Sequence, residues 1–185
     1  MRTLKKALCL VLVLAMVLSL GVTAFAVNKS TEYTDYSTVT NKEAVDVLTA
    51  IGVLNGNTDG TFGPTGNFTR AQAATIIAHM MLGTKTAAAL PQVATKFNDV
   101  SAAHWASGYI NYCVDNGIIN GYGDGRFGPE DTLTATQWAL MLLNALGYNP
   151  AKEGIGGAGW EIKTTTLAVS SGVANAENLT GTFTR

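Results

Sequence analysis

An arginine placed beside a helix cap is the residue with the clearest chemistry in this sequence. Thr69-x-x-Gln72 has the form of a capping box, and Arg70 follows the cap at the first helical position. Free backbone amides and the positive helix end favour an anion there, and a guanidinium can grip a carboxylate through two parallel bonds. The plainer reading of Arg70 is a solvated helix-start residue, and the residues alone leave both open. Trp105 and Trp160 each stand at the start of a helical stretch, where the ring can offer a flat face to a sugar or plug a junction. Asn120 and Gly121 can supply amide and backbone donors to sugar hydroxyls, although their first duty is a turn after a helix.

Other chemistries find less support. Asn55-x-Asn57-x-Asp59-Gly60 imitates the opening of a calcium loop, but the position of the closing bidentate glutamate holds Gly66, and Asp131 in a second copy. A glycine-rich turn with Phe62 or Phe127 folded beneath it as a small satellite core explains the same residues without a metal. His79 and His104 have no partners at ligand spacing, and Cys113 reads as a buried structural thiol. No nucleophile elbow, paired-carboxylate signature, zinc motif or phosphate loop is present, so the sequence implies neither an enzyme nor a cofactor.

The elements that carry these residues repeat. Gly52-Val53-Leu54-Asn55-Gly56 returns as Gly117-Ile118-Ile119-Asn120-Gly121, and Asp59-Gly60-Thr61-Phe62-Gly63-Pro64 as Asp124-Gly125-Arg126-Phe127-Gly128-Pro129, at a constant offset of 65 residues. Thr69-x-x-Gln72 likewise returns as Thr134-x-x-Gln137. A third copy opens at Gly157-Ala158-Gly159-Trp160, lacks the Asp-Gly loop and reaches Phe183-Thr184-Arg185, which matches Phe68-Thr69-Arg70. Each copy reads as helix, loop, helix. In the first, a Thr40-x-x-Glu43 capping box is expected to open a helix whose apolar face is Ala44, Val47, Leu48 and Ile51, closed by Gly52. Ala106, Ile110 and Cys113 occupy the matching helix of the second copy, which ends at Gly117. The later helices carry Ala73, Ile76, Ile77, Met80 and Met81 in one copy and Trp138, Met141, Leu142 and Ala145 in the other. One such helical hairpin is too small to bury its stripe alone, so neighbouring copies must pack on each other and the grooves between them become natural binding sites.

Five blocks in one order complete a pattern: Phe97-x-Asp99-Val100, His104-Trp105-Ala106, Gly117 to Gly121, Asp124-Gly125-x-Phe127-x-Pro129, and Thr69-Arg70-Ala71-Gln72. Together they resemble the S-layer homology domain over roughly residues 30 to 185. The resemblance implies an all-α, pseudo-threefold bundle of three repeats, here 27–90, 91–153 and an incomplete 154–185. It also implies a function: non-covalent anchoring of an exported protein to the cell wall, through grooves that bind secondary cell-wall polysaccharide, often pyruvylated. Its groove arginine maps onto Arg70 and Arg185. The second copy has Ala135 there, so that groove is expected to be weak or empty, and the first copy has Thr40 where the others have Trp105 and Trp160. A self-associating structural protein of the envelope is the alternative.

The chain start agrees with export. Arg2, Lys5 and Lys6 precede an apolar run from Ala7 to Leu20 and the small-residue sequence Ala24-Phe25-Ala26, which reads as a secretory signal over residues 1–26. A run of 14 residues is short of the roughly 20 needed to span a bilayer, so no membrane span is expected after cleavage. Cleavage removes three of the 12 basic residues and none of the 13 acidic ones, leaving 9 against 13 and a formal net charge of −4. Nucleic acid is excluded as a partner, because phosphate binding requires a basic face. Edman sequencing of the secreted protein is expected to begin at Val27, and a start at Met1 would refute the leader.

Overall fold

The computed structural model describes residues 30–180 and 184; the expected leader and Arg185 lie outside the described residues. The described chain is all-α. Its helices are α1 (Lys42–Ala50), α2 (Arg70–Leu82), α3 (Thr84–Ala88), α4 (Ser107–Asp115), α5 (Ala135–Ala145), α6 (Pro150–Glu153) and α7 (Trp160–Ser170), with short 3-10 turns at Ser30–Glu32, Tyr36–Thr38 and Ala176–Leu179. Among the described residues, none of these helices is long and apolar enough to cross a membrane.

Capping chemistry sets the helices that carry the junctions. At α2, Thr69 Oγ1 accepts from the Gln72 amide at 3.3 Å while Gln72 Oε1 accepts from the Thr69 amide at 3.1 Å. Thr134 and Gln137 repeat the pair at α5 with 3.2 and 3.0 Å. The box expected at Thr40 does not form: α1 starts one residue later, with Asn41 at the cap and no side-chain cap bond. Val39 is buried in a small cluster with Val45 and Phe62, and this burial sets where the chain turns into the helix.

Each later helix lies on the first helix of the next copy, α2 on α4 and α5 on α7. Phe68, Ile77, Ile110, Phe127, Leu133 and Met141 fill the core where α2, α4 and α5 meet; burying each such side chain is worth about 1.5–3 kcal/mol. On α2 the contact is made by Ala71, Ala73, Ala74, Ala78 and Ile77, all at or below 1% exposure, whereas Met80 and Met81 of the expected stripe are half exposed. Small side chains let α4 approach closely enough for Cys113 Sγ to donate to the Ala74 carbonyl at 3.4 Å. Burial pushes that thiol's pKa up to about 12, so it remains protonated. Helix α5 is buried on two sides: Trp138, Met141 and Ala145 face the first core, while Ala135, Ala139 and Leu143 meet Ile155, Ala168 and Leu179 in a second. The first helix departs furthest from expectation. Val45 and Thr49 turn inward, and Ala44, Val47 and Ile51 of the expected core face are exposed.

Extended segments before the caps join the copies. The Leu133 amide donates to Phe68 O at 3.0 Å, the Arg70 amide to Asp131 O at 3.0 Å and the Ala71 amide to Pro129 O at 2.9 Å. Isolated antiparallel bridges pair Thr69 with Thr132 and Asn67 with Thr184. Both bridges place a cap threonine opposite the residue two before the next copy's cap, so the third copy meets the first as the first meets the second. This common register agrees with the pseudo-threefold arrangement that the resemblance implies.

Within each full copy an aspartate ties the turn to the segment before the first helix. Asp35 accepts from the Phe62 and Gly63 amides at 2.7 and 2.8 Å, and Asp99 from Phe127 and Gly128 at 2.8 Å each. Phe62 stays in its satellite cluster, but Phe127 joins the main core. At Gly121 an added Cβ would collide with the Phe97 ring and lie 2.7 Å from Arg126 O, which is why the turn needs glycine there. Burial raises the Asp99 carboxyl pKa, but the two amide bonds outweigh it and hold the pKa below the ordinary carboxylate value. A depressed folded pKa gives stability that is present above the unfolded value, about 3.9, and is lost as pH falls through the folded one. Acid titration of the unfolding midpoint is therefore expected to show a decline below about pH 4 that is shallower in Asp99→Asn. An unchanged slope in that variant would show that the clamp does not titrate with folding.

Candidate functional site

The first and second copies meet around Arg70. Its backbone is fixed by the α2 cap and by the bonds to Pro129 and Asp131 just described, which send its side chain into the turn region of the second copy. Nε donates to Phe127 O at 2.8 Å and Nη2 to Asn120 O at 2.7 Å. The guanidinium carbon lies 4.7 Å from the centres of both the Tyr122 and Phe127 rings. Arg70 is 5% exposed, so the solvated reading is corrected: it is a wedge between copies. Burial pulls its pKa below the usual value, with Tyr122, Asp131 and Asp99 opposing that shift. The group stays charged, because arginine does not deprotonate in proteins.

Cation and helix end do not act together as the sequence suggested. The amides of Arg70 and Ala71 are spent on Asp131 O and Pro129 O, and that of Gln72 on its cap. Only the side chain brings a positive centre to the junction. Among the described residues Arg70 makes no ion pair with a carboxylate; Nε and one hydrogen of Nη2 are held by carbonyls, and both donors of Nη1 stay uncommitted.

Asn120 and Gly121 are both brought to this junction. Asn120 presents its carbonyl to Arg70, and Gly121 makes room for Phe97. Tyr122, absent from the sequence-based set and 45% exposed, caps the guanidinium with its ring. Burial and the nearby Asp131 carboxylate raise the Tyr122 pKa while Arg70 opposes them. An aromatic residue one step past the Asn-Gly turn, present only in the copy facing Arg70, was the available signal for it.

Trp105 is 47% exposed and stacks on His104 with ring centres 5.7 Å apart. His104 Nε2 lies 3.7 Å from Glu130, which stands between the two residues whose carbonyls hold α2, so this pair borders the same wall. Trp160 is half-buried at the start of α7 in the third copy, and no contact joins it to the Arg70 group among the described residues. At the second junction Ala135 is buried against Leu179, leaving an apolar cleft lined by Trp138, Leu142 and Val173 in place of a cation.

The acidic turns use their own donors. Asp59 Oδ1 accepts from the Thr61 amide at 2.9 Å and hydroxyl at 2.7 Å; Asp124 accepts from the Arg126 amide at 3.0 Å and Nε at 2.9 Å. Among the described residues no three histidine, cysteine or acidic side chains gather in a metal-binding group.

Arg70→Ala strands two carbonyls in a nearly closed junction and removes a packed side chain, a loss expected to exceed about 2 kcal/mol. Urea unfolding should show this loss while Arg126→Ala, at an exposed turn, leaves the midpoint unchanged. Equal midpoints for the Arg70 variant and the parent would contradict the wedge.

A family model described as the S-layer homology domain matches residues 32–74 and 96–134. The chain is 29% identical over 174 residues to a surface layer protein of Brevibacillus choshinensis, covering 94% of this chain and 15% of that protein. It is 34% identical over 149 residues to a cell surface protein of Thermoanaerobacter kivui, 80% of this chain and 19% of the relative. Over 93 residues it is 34% identical to a cellulosome-anchoring protein of Acetivibrio thermocellus, 50% of this chain and 21% of the relative. The chain thus spans less than a quarter of the length of each of these relatives. With the repeated aspartate clamps, capping boxes and cross-copy helix packing, these matches establish that residues 32–74 and 96–134 are S-layer homology domains.

Proposed function

We propose that this chain anchors an exported surface protein non-covalently to the bacterial cell wall, by binding wall polysaccharide at the junction between its first two copies. The observation that carries the reading is Arg70: a nearly buried guanidinium, without a carboxylate partner among the described residues, beneath the half-exposed ring of Tyr122. Nη1 suits a carboxylate such as a pyruvate ketal on a sugar, and the Tyr122 and Trp105 rings suit sugar faces. The uncharged cleft at Ala135 makes the second junction the weaker one. The cellulosome-anchoring and surface layer relatives support the same role, with the leader at 1–26 delivering the chain to the envelope.

Sedimentation with purified sacculi tests the reading. The protein is expected to pellet with intact sacculi, in chelator as well as in buffer, and to stay in the supernatant once acid has stripped the polymer. Arg70→Lys keeps a charge but loses the planar fork. Losing a charge-assisted bond of about 1.5–3 kcal/mol should weaken binding by ten-fold or more. Equal pelleting with stripped sacculi refutes polysaccharide binding, and pelleting without sacculi points instead to self-association.

A further inference from the structure

The second copy's turn keeps the first copy's framework and changes what the framework displays. Gly56, Asp59, Phe62 and Gly63 return as Gly121, Asp124, Phe127 and Gly128, but Tyr122, Arg126 and Asp131 stand where the first copy has Asn57, Thr61 and Gly66. The fold brings these three together beside Arg70. The Tyr122 amide donates to Arg126 O at 3.0 Å, and the Arg126 guanidinium carbon lies 5.5 Å from the Tyr122 ring centre. Asp131 is fixed by its main chain: its amide donates to Gly128 O at 3.1 Å, and its carbonyl accepts from the Arg70 amide. A Cβ on Gly128 would collide with Asp131 Oδ2 and lie 2.7 Å from Tyr122 Cε2, so the carboxylate and the ring edge share the space above one glycine. Above Gly63 of the first copy that space holds the Asn57 amide and no acid.

The neighbouring carboxylates are already spent. Asp99 takes two backbone amides, and Asp124 takes the amide and Nε of Arg126. Asp131 is exposed and makes no ion pair among the described residues, yet its charge reaches Arg70 and opposes the effect of burial there. A guanidinium, a half-exposed ring and an exposed carboxylate therefore border one opening. The guanidinium only donates, whereas a sugar hydroxyl gives up its proton best to a charged acceptor. We propose that Asp131 is a specificity-determining residue of the polysaccharide site, accepting a hydroxyl of the sugar whose acidic substituent meets Arg70 and whose face lies on Tyr122. This rests on the anchoring reading above and narrows its ligand: the site selects an acidic sugar with a free hydroxyl, and the Asp131 charge disfavours an anion that lacks one.

Sedimentation of Asp131 variants with intact sacculi tests the assignment. Asp131→Ala is expected to bind at least about ten-fold more weakly than the parent, through loss of one charge-assisted bond. Asp131→Asn should fall between the two, because an amide oxygen still accepts but carries no charge. O-acetylation of the sacculi caps hydroxyls and should bring the parent down to the level of the alanine variant. Urea midpoints should match the parent's, since the side chain is exposed and main-chain bonds alone tie Asp131 to Arg70 and Gly128. Should the alanine variant unfold earlier, the asparagine variant, of the same size, decides in its place. Binding equal to the parent's, or a gap between variant and parent that persists on acetylated sacculi, overturns the proposal. So does tighter binding, which would make Asp131 a repellent of the polymer's anions. A parent that pellets equally with stripped sacculi sinks the anchoring reading itself; a parent that discriminates them, matched by the variant, sinks the assignment of Asp131 alone.

Discussion

A nine-residue helix cannot bury its own apolar side, and the second and third copies meet that constraint with a helix of the preceding copy. Helix α4 is covered by α2 and α7 by α5. The cover is held in register by main-chain bonds from Phe68, Arg70 and Ala71 to the segment from Pro129 to Leu133, so the copies are stitched before any side chain is considered. Alanines along α2 then let the helices close to the distance at which a thiol reaches a backbone carbonyl.

Arg70 draws its character from that stitching. Its position after the cap is local, but the carbonyls and rings around its guanidinium come from 50 to 57 residues further along the chain. The same side chain can seal the junction and give it a positive centre, because a buried guanidinium held by carbonyls retains its full charge. Ala135 shows the contrast: without the cation, the matching space is a cleft with apolar walls beside Leu179.

The aspartates at positions 35 and 99 do comparable work inside each copy. Each gathers two amides of the Asp-Gly turn and fixes it against the aromatic residue beneath, so the turn reaches the junction as a rigid part. Once the turns are rigid, Asn120 and Phe127 present their carbonyls to Arg70 at bonding distance.

Much of this was legible in the residues because it is local. The 65-residue repeat, the capping boxes at Thr69 and Thr134, the positive-φ glycines at 52 and 117 and the burial of Ile110 and Cys113 follow from spacing and turn chemistry over a few residues. The tertiary structure alone decided which side of each helix has a partner. Periodicity marked Ala44, Val47, Leu48 and Ile51 as an inward face, yet a stripe is buried only where another helix lies against it, and none does at α1 among the described residues. Arg70 shows the reverse: a charged residue at a helix start looks solvated until the second copy's turn folds over it. Both outcomes depend on contacts between copies, and such contacts leave no trace in local spacing.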